Sequence, residues 1–238
     1  MDHSQASELK QQFPTVQDTA QLPQDSIIKT IIWEKDDKEM VRVPAGKFLS
    51  GNKKKEKHVA EFWIDKTLVT NAEYARFVEA TGHEPPPHWP GKTPQAEITD
   101  HPVVYIFWDD AVAYAKWAKK RLPTQVEWEK AARGTDGRDY PWGNQEPNAE
   151  LCNFNRNVGG TTPVGNYSPQ GDSPYGCVDM SGNVWEWTDS TADKGRFRIL
   201  SGGSWGADNI TRLLCTAQRW HFPYFETHHY GFRLVVSA

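Results

Sequence analysis

Cysteine is scarce. The 238-residue chain has three, Cys152, Cys177 and Cys215, too few and too scattered for a disulfide framework or a cysteine-rich zinc site. Long apolar runs are missing: no stretch approaches the roughly 20 residues that a membrane helix needs, so no membrane insertion is expected. There is no basic excess. Lys and Arg number 27 against 31 Asp and Glu, a net charge of −4, whereas a general nucleic-acid binder carries a positive footprint, so no nucleic-acid partner is expected. The opening MDHSQASELKQQ has neither a basic-then-apolar signal pattern nor a lipidation motif, and the default expectation is a cytoplasmic protein. P-loop and His-Glu-x-x-His signatures are absent. The acidic pair Asp109–Asp110 falls at a helix start, where carboxylates stabilise the N-terminus, and needs no glycosidase to explain it.

Large rings and chain-turning residues are abundant: 11 Trp, 18 Gly and 16 Pro. Many Trp in a polar chain imply a core of a few bulky rings, and so much Gly and Pro implies long irregular stretches. Residues 1–38 are polar, with Pro14 and Pro23 and one apolar patch at Ile27, Ile28, Ile31, Ile32 and Trp33. They read as a partly docked tail in front of a single domain, 39–238. Met40–Ser50 reads as strand and turn, and Val59–Ile64 alternates as a strand. Lys53, Lys54, Lys55 and Lys57 read as a solvated loop. Thr70 with Glu73 predicts a capping box and a helix to about Thr81 that presents Tyr74, Phe77 and Val78, with Gly82 ending it. Asp109 is expected to cap a second helix. Thr124 with Glu127 predicts a third.

Seven short motifs then occur in one order: Val43-Pro-Ala-Gly46 with Phe48; Val69-Thr-Asn71 with Tyr74 and Phe77; Arg121-Leu-Pro-Thr124 with Glu127-Trp-Glu-Lys-Ala-Ala-Arg133; Tyr140-Pro-Trp-Gly143; Gly182-Asn-Val-Trp-Glu-Trp187; Gly202-Gly-Ser-Trp205; and Gly231-Phe-Arg233. Each is weak alone, but together, across about residues 40–236, the series resembles the formylglycine-generating-enzyme (sulfatase-modifying factor) family, a branch of the C-type lectin fold. The resemblance implies an α+β domain with few helices and small antiparallel sheets. It also implies that the strand near Met40 pairs with the last one, Gly231–Val236.

Catalytic members of that family carry two cysteines shortly after Gly-Gly-Ser and bind copper through them, as a soft metal requires. Here Ala207 and the Ile210–Thr211 region take the places of the thiols, and Cys215 reads as a packing residue. Formylglycine generation is therefore not expected. The related iron-dependent sulfoxide synthases use a His-xxx-His-x-Glu element that is also absent. His221, His228 and His229 could be proposed as a new metal triad, but without evident carboxylate partners they read as surface residues. No copper or iron is expected. A metal-dependent oxidase or oxygenase is the alternative function. The resemblance also suggests a structural Ca²⁺ held by the Asn183 side chain, the Val184 carbonyl and the Glu186 side chain as hard oxygen ligands. The competing reading is that Asn183 holds a turn and Glu186 pairs with an arginine.

The C-terminal frame is ordinary for the family, but its filling is not. Between Arg219 and Gly231 stand Trp220, His221, Phe222, Tyr224, Phe225, Glu226, Thr227, His228, His229 and Tyr230. The rings follow neither strand nor helix spacing, so they read as a recognition surface of rigid aromatics on loops, as in antibody paratopes. The same branch of the fold houses the variable proteins of diversity-generating retroelements, in which adenines of C-terminal codons are randomised. Asn-type codons reach every residue of Gly206, Ala207, Asp208, Asn209, Ile210 and Thr211, and also His221, Phe222, Tyr224, Phe225, Thr227, His228 and His229. They do not reach Trp220 or Glu226. The expectation is a non-catalytic ligand-binding protein with a diversified segment at 205–230. Trp205, residues 206–211, Trp220, His221, Phe222, Tyr224, Phe225, Thr227, His228 and His229 would face a protein or other macromolecular ligand.

Overall fold

The computed structural model describes residues 12–238, and the helices at Asn71 and Gln125 start where the sequence places their caps. Helix α1 runs Asn71–Thr81. Thr70 Oγ1 accepts from Glu73 N–H at 3.2 Å, and Glu73 returns the bond to Thr70 N–H at 2.9 Å, so two of the free amide donors at the helix start are satisfied. Gly82 closes it at φ 73°. Helix α3, Gln125–Arg133, repeats the device with Thr124 and Glu127. Helix α2, Trp108–Trp117, does not start at Asp109: Phe107 is the first flanking residue, and its N–H donates to Asp110 at 2.7 Å. The acidic pair thus caps the helix through its second member.

The N-terminal half supplies strands β1 (Thr15–Val16), β2 (Thr30–Trp33), β3 (Lys38–Val43), β4 (Gly46–Ser50), β5 (Lys55–Val59) and β6 (Phe62–Asp65). The expected single strand Val59–Ile64 is therefore two, broken at Ala60–Glu61. The C-terminal half supplies β7 (Trp185–Ala192), β8 (Phe197–Ser201), β9 (Gln218–His221), β10 (Tyr230–Gly231) and β11 (Val235–Ser237). Three sheets result, ordered β1-β2-β3-β6-β11, β10-β7-β8-β9 and β4-β5. The strand near Met40 and the last strand share a sheet, but they do not pair. β6 lies between them, Val41 opposite Ile64 and Ile64 opposite Val235. Two antiparallel ladders, not one, close the domain.

The 38/39 boundary falls inside the β2–β3 hairpin, where Thr30–Trp33 pair with Val41–Lys38. Val16, Ile31 and Trp33 pack with Met40, Trp63 and Val236, and Trp33 Nε1 donates to Ala118 O at 2.8 Å. A buried charge cluster fastens the same corner. Lys120 Nζ lies 2.8 Å from both Asp36 and Asp65, and Asp65 also accepts from Leu234 N–H. Burial pushes the Asp36 carboxyl up to about 6, with the neighbouring Asp65 charge adding to the push and the shared ammonium restraining it. Residues 1–11, the rest of the expected tail, lie outside the described residues.

The core is built from rings, as the composition predicts. Trp33, Trp63, Trp128 and Trp187 are among the largest fully buried side chains. Between α3 and β7 the backbone forms neither helix nor strand. It is held by close approaches such as Gly182, φ 84°, where a Cβ would lie 2.4 Å from Asn153 O. Asp179 in this stretch is buried and accepts from Gly165 N–H at 2.9 Å, and burial pushes its carboxyl up to about 6 from 3.8. Its folded-state pKa exceeds the unfolded one, so its contribution is fully present below about 4 and lost as pH rises through about 6. Asp179→Asn keeps the acceptor and removes the charge. Its stability is expected to exceed that of the parent by about 3 kcal/mol at pH 8, seen as a higher melting temperature, and to match it near pH 4. Equal differences at both pH values contradict this.

Candidate surface for ligand recognition

The two segments that the sequence singles out flank β9. Residues 202–217 connect β8 to β9, and residues 222–229 connect β9 to β10. Both backbones are tied to the frame. In the first segment, Trp205 N–H donates to Asn183 O at 2.9 Å, Arg156 N–H to Trp205 O at 2.7 Å and Asn155 N–H to Ala207 O at 2.9 Å. Gly203, φ 77°, passes so close to Arg212 O that a Cβ would lie 2.6 Å from it. In the second, Trp108 N–H donates to Pro223 O at 2.9 Å, Tyr105 N–H to Thr227 O at 3.2 Å and Trp185 N–H to His229 O at 2.8 Å.

The side chains on this anchored backbone point largely outward. Trp220 is 59% exposed, Tyr224 69% and Phe225 42%, far above what a core ring tolerates. Asp208, Asn209, Thr211 and His228 are exposed; Trp205, Gly206, Ile210, His221, Phe222, Thr227 and His229 are intermediate. The rings support one another. His221 stacks on Phe225 at 3.7 Å between centroids, Phe222 on Tyr224 at 5.2 Å, and Trp205 lies 4.6 Å from His229. Such contacts fix rotamers before a ligand arrives and lower the entropic cost of binding.

Two expectations need correction. Ala207 is 2% exposed and packs with Tyr140, Cys152 and Leu213, so it faces the interior. The Asn183–Val184–Glu186 set does not fit a calcium ion. Both Glu186 carboxylate oxygens are held by buried Arg233, at 2.7 and 2.9 Å. The Asn183 side chain accepts from Thr162 N–H and donates to Thr162 O, and its carbonyl accepts from Trp205. Asn183 holds a left-handed turn at φ 56°, and Val184 is a core residue.

Sequence reasoning missed the part of the surface on β8. Phe197 lies 4.7 Å from Phe222, and the Arg196 guanidinium lies over both rings, at 5.3 and 5.5 Å. Arg198 sits 3.5 Å from the Trp108 ring centroid. The Phe-Arg-Ile alternation at 197–199 was the available signal. Tyr105, whose hydroxyl lies 3.2 Å from His228 Nδ1, carried none.

Two histidines of this surface, His221 and His229, favour the neutral form. Burial, then the Arg219 charge, lowers His221. Burial, then His228, Arg219 and Arg156, lowers His229 to about 4. The unfolded imidazole titrates near 6.5, so His229 subtracts stability progressively as pH falls from about 6.5 to about 4. His229→Gln is expected to make the acid loss of stability shallower across that window and to leave stability at pH 8 nearly unchanged. An identical pH profile for the two proteins contradicts this.

The three thiols are free and buried. Burial raises all of them, Cys177 to about 11 and Cys152 to about 12, which disfavours thiolate chemistry at neutral pH. Among the described residues no group of three or more His, Cys, Asp or Glu is placed to hold a metal ion, and no helix is long and apolar enough to cross a membrane.

Residues 32–238 match the sulfatase-modifying factor enzyme 1-like domain. The chain is 32% identical to a formylglycine-generating enzyme of Thermomonospora curvata, over 84% of this chain and 94% of that one. It is 33% identical to the inactive C-alpha-formylglycine-generating enzyme 2 of Mus musculus, over 85% and 87%. Among solved structures, PvdO from Pseudomonas aeruginosa superposes with TM-score 0.72 at 23% identity, over 86% of this chain and 96% of that one. Treponema denticola variable protein 1 superposes with TM-score 0.68 at 20% identity, over 84% and 95%. At these identities the two structures speak to the fold alone.

Proposed function

The chain belongs to the sulfatase-modifying factor enzyme 1-like domain family, and on that premise we propose that it is a non-catalytic member, a ligand-binding protein whose C-terminal loops present a diversified surface. The observation that carries this reading is the contrast within 220–229: a backbone hydrogen-bonded to the frame at Pro223, Thr227 and His229, and rings at Trp220, Tyr224 and Phe225 turned to solvent. Large apolar side chains held in water destabilise nothing but gain nothing unless a partner covers them. The family includes formylglycine-generating enzymes and a member named as inactive, so family membership alone does not decide between catalysis and binding. The missing thiol pair at Ala207 and Ile210–Thr211 favours binding.

On the finer reading the chain is the variable protein of a diversity-generating retroelement, and its ligand is a protein or another exposed macromolecule. Sequencing the DNA downstream of the gene tests this. A near-copy of the 3′ end that differs at adenines and precedes a reverse transcriptase is the expected result. An ordinary downstream region contradicts diversification. Metal analysis of the purified protein tests the non-catalytic reading separately: stoichiometric copper or iron contradicts it in favour of an oxidase or oxygenase.

A further inference from the structure

We infer that the recognition surface takes an extended, acidic protein segment by strand addition along β9; this deepens the ligand-binding reading above and rests on it. The inference starts from the sheet edges. β9 ends the sheet β10-β7-β8-β9 and pairs on one side alone, with β8. Among the described residues, no turn, loop or neighbouring element takes the outward N–H and C=O groups of Gln218–His221. Such an edge is a template for another strand, and proteins that must avoid this guard it with lysine, proline or shortness. This chain does so elsewhere. The exposed strand β5 carries Lys55 and Lys57, and the edge strands β1 and β10 are two residues each. β9 has neither lysine nor proline, and it carries an exposed Trp.

The flanking face suits alternate side chains of an added strand. Ile199 pairs with Trp220, and Phe197 lies two residues before Ile199, so all three project from one face. Phe222 and Tyr224 extend that row. In strand addition, main-chain bonds supply affinity and such a row supplies specificity.

Charge selects the occupant. The protein as a whole is negative, at −4, but this edge is not. Arg219, on β9, has no carboxylate in ion-pair range among the described residues, and Arg196, over the Phe197 and Phe222 rings, has one only at 4.0 Å. An acidic segment meets two guanidinium groups without a close carboxylate there, whereas a second copy of this chain would bring the same arginines to face themselves.

The test uses the full chain and a displayed library of random decapeptides as the probe. Selected peptides are expected to alternate apolar and acidic residues. N-methylation of every second peptide amide is expected to weaken binding at least 30-fold in one register and little in the other, because half of the amides face the edge. The amides of Gln218–His221 are expected to gain hydrogen-exchange protection. Selected peptides that tolerate methylation in both registers but lose binding in Trp220→Ala overturn strand addition and leave the ligand-binding reading intact. Peptides indifferent to Trp220→Ala and Tyr224→Ala overturn both. Failure to enrich any peptide, or protection of β9 by self-association without peptide, overturns the inference.

Discussion

Replacing Arg233 by methionine is expected to cost about 3–5 kcal/mol, enough to unfold a marginal domain. Arg233 is fully buried and makes five hydrogen bonds. It holds Glu186 through Nε and Nη2, and it donates to Val178 O at 2.8 Å, Lys66 O at 3.0 Å and Asp65 O at 3.3 Å. These partners belong to β6, the turn after it, the irregular stretch before β7, and β7 itself, so one guanidinium ties both large sheets. The substitution leaves the Glu186 carboxylate, 1% exposed, with no cation, and takes a donor from three carbonyls, of which Lys66 O keeps the Val178 N–H at 2.8 Å. Pairing it with Glu186→Met removes the orphaned charge, and the double variant is expected to recover part of the loss. Urea denaturation of the single and double variants checks both. Equal losses in the two would mean that the carbonyl contacts, not the ion pair, carry the energy.

Truncating the exposed rings is expected to act on binding instead. For a ligand selected against the full chain from a displayed protein library, Trp220→Ala is expected to weaken affinity by about 30-fold or more, the roughly 2 kcal/mol of an anchor residue. Tyr224→Ala acts in the same direction. Trp and Tyr combine large contact area with few rotors; Tyr224 is stacked on Phe222, and the Trp220 backbone is fixed in β9 opposite Ile199. Ile27→Ala, at a still more exposed apolar residue outside the surface, is expected to leave affinity unchanged. Equal effects at Ile27 and Trp220 contradict a localised recognition surface. The measurement is equilibrium binding, read beside a thermal melt of each variant.

Local chemistry made much of this fold legible in the sequence. The Thr70–Glu73 and Thr124–Glu127 boxes need only residues three apart, and both helices start where those residues place them. The fold class followed from seven ordered motifs. Pairing between distant segments was not legible: nothing in Val41, Ile64 or Val235 says that the middle one lies between the others. The cap of α2 was misassigned by one residue because Asp109 and Asp110 are chemically equal and only geometry separates them. Glu186 was readable as a calcium ligand or an arginine partner, and the choice depended on Arg233, 47 residues away.

At the C-terminal loops, aromatic density in the sequence marked where rings stand exposed, at Trp220, Tyr224 and Phe225, but not each residue's direction. Ala207 fitted the codon pattern and turned inward, because its carbonyl is held by Asn155 and its methyl fills space beside Cys152. Phe197 and Arg196 joined the surface through strand pairing, which a reading confined to 205–230 does not reach.

Rings that serve contact with a partner contribute little to the stability of the frame. Urea denaturation of the triple variant Trp220→Ser, Tyr224→Ser and Phe225→Ser measures that contribution. The expected free energy of unfolding lies within about 1 kcal/mol of the parent, as for substitutions at exposed sites. A loss above about 3 kcal/mol, the scale of emptying a buried aromatic position, would contradict it.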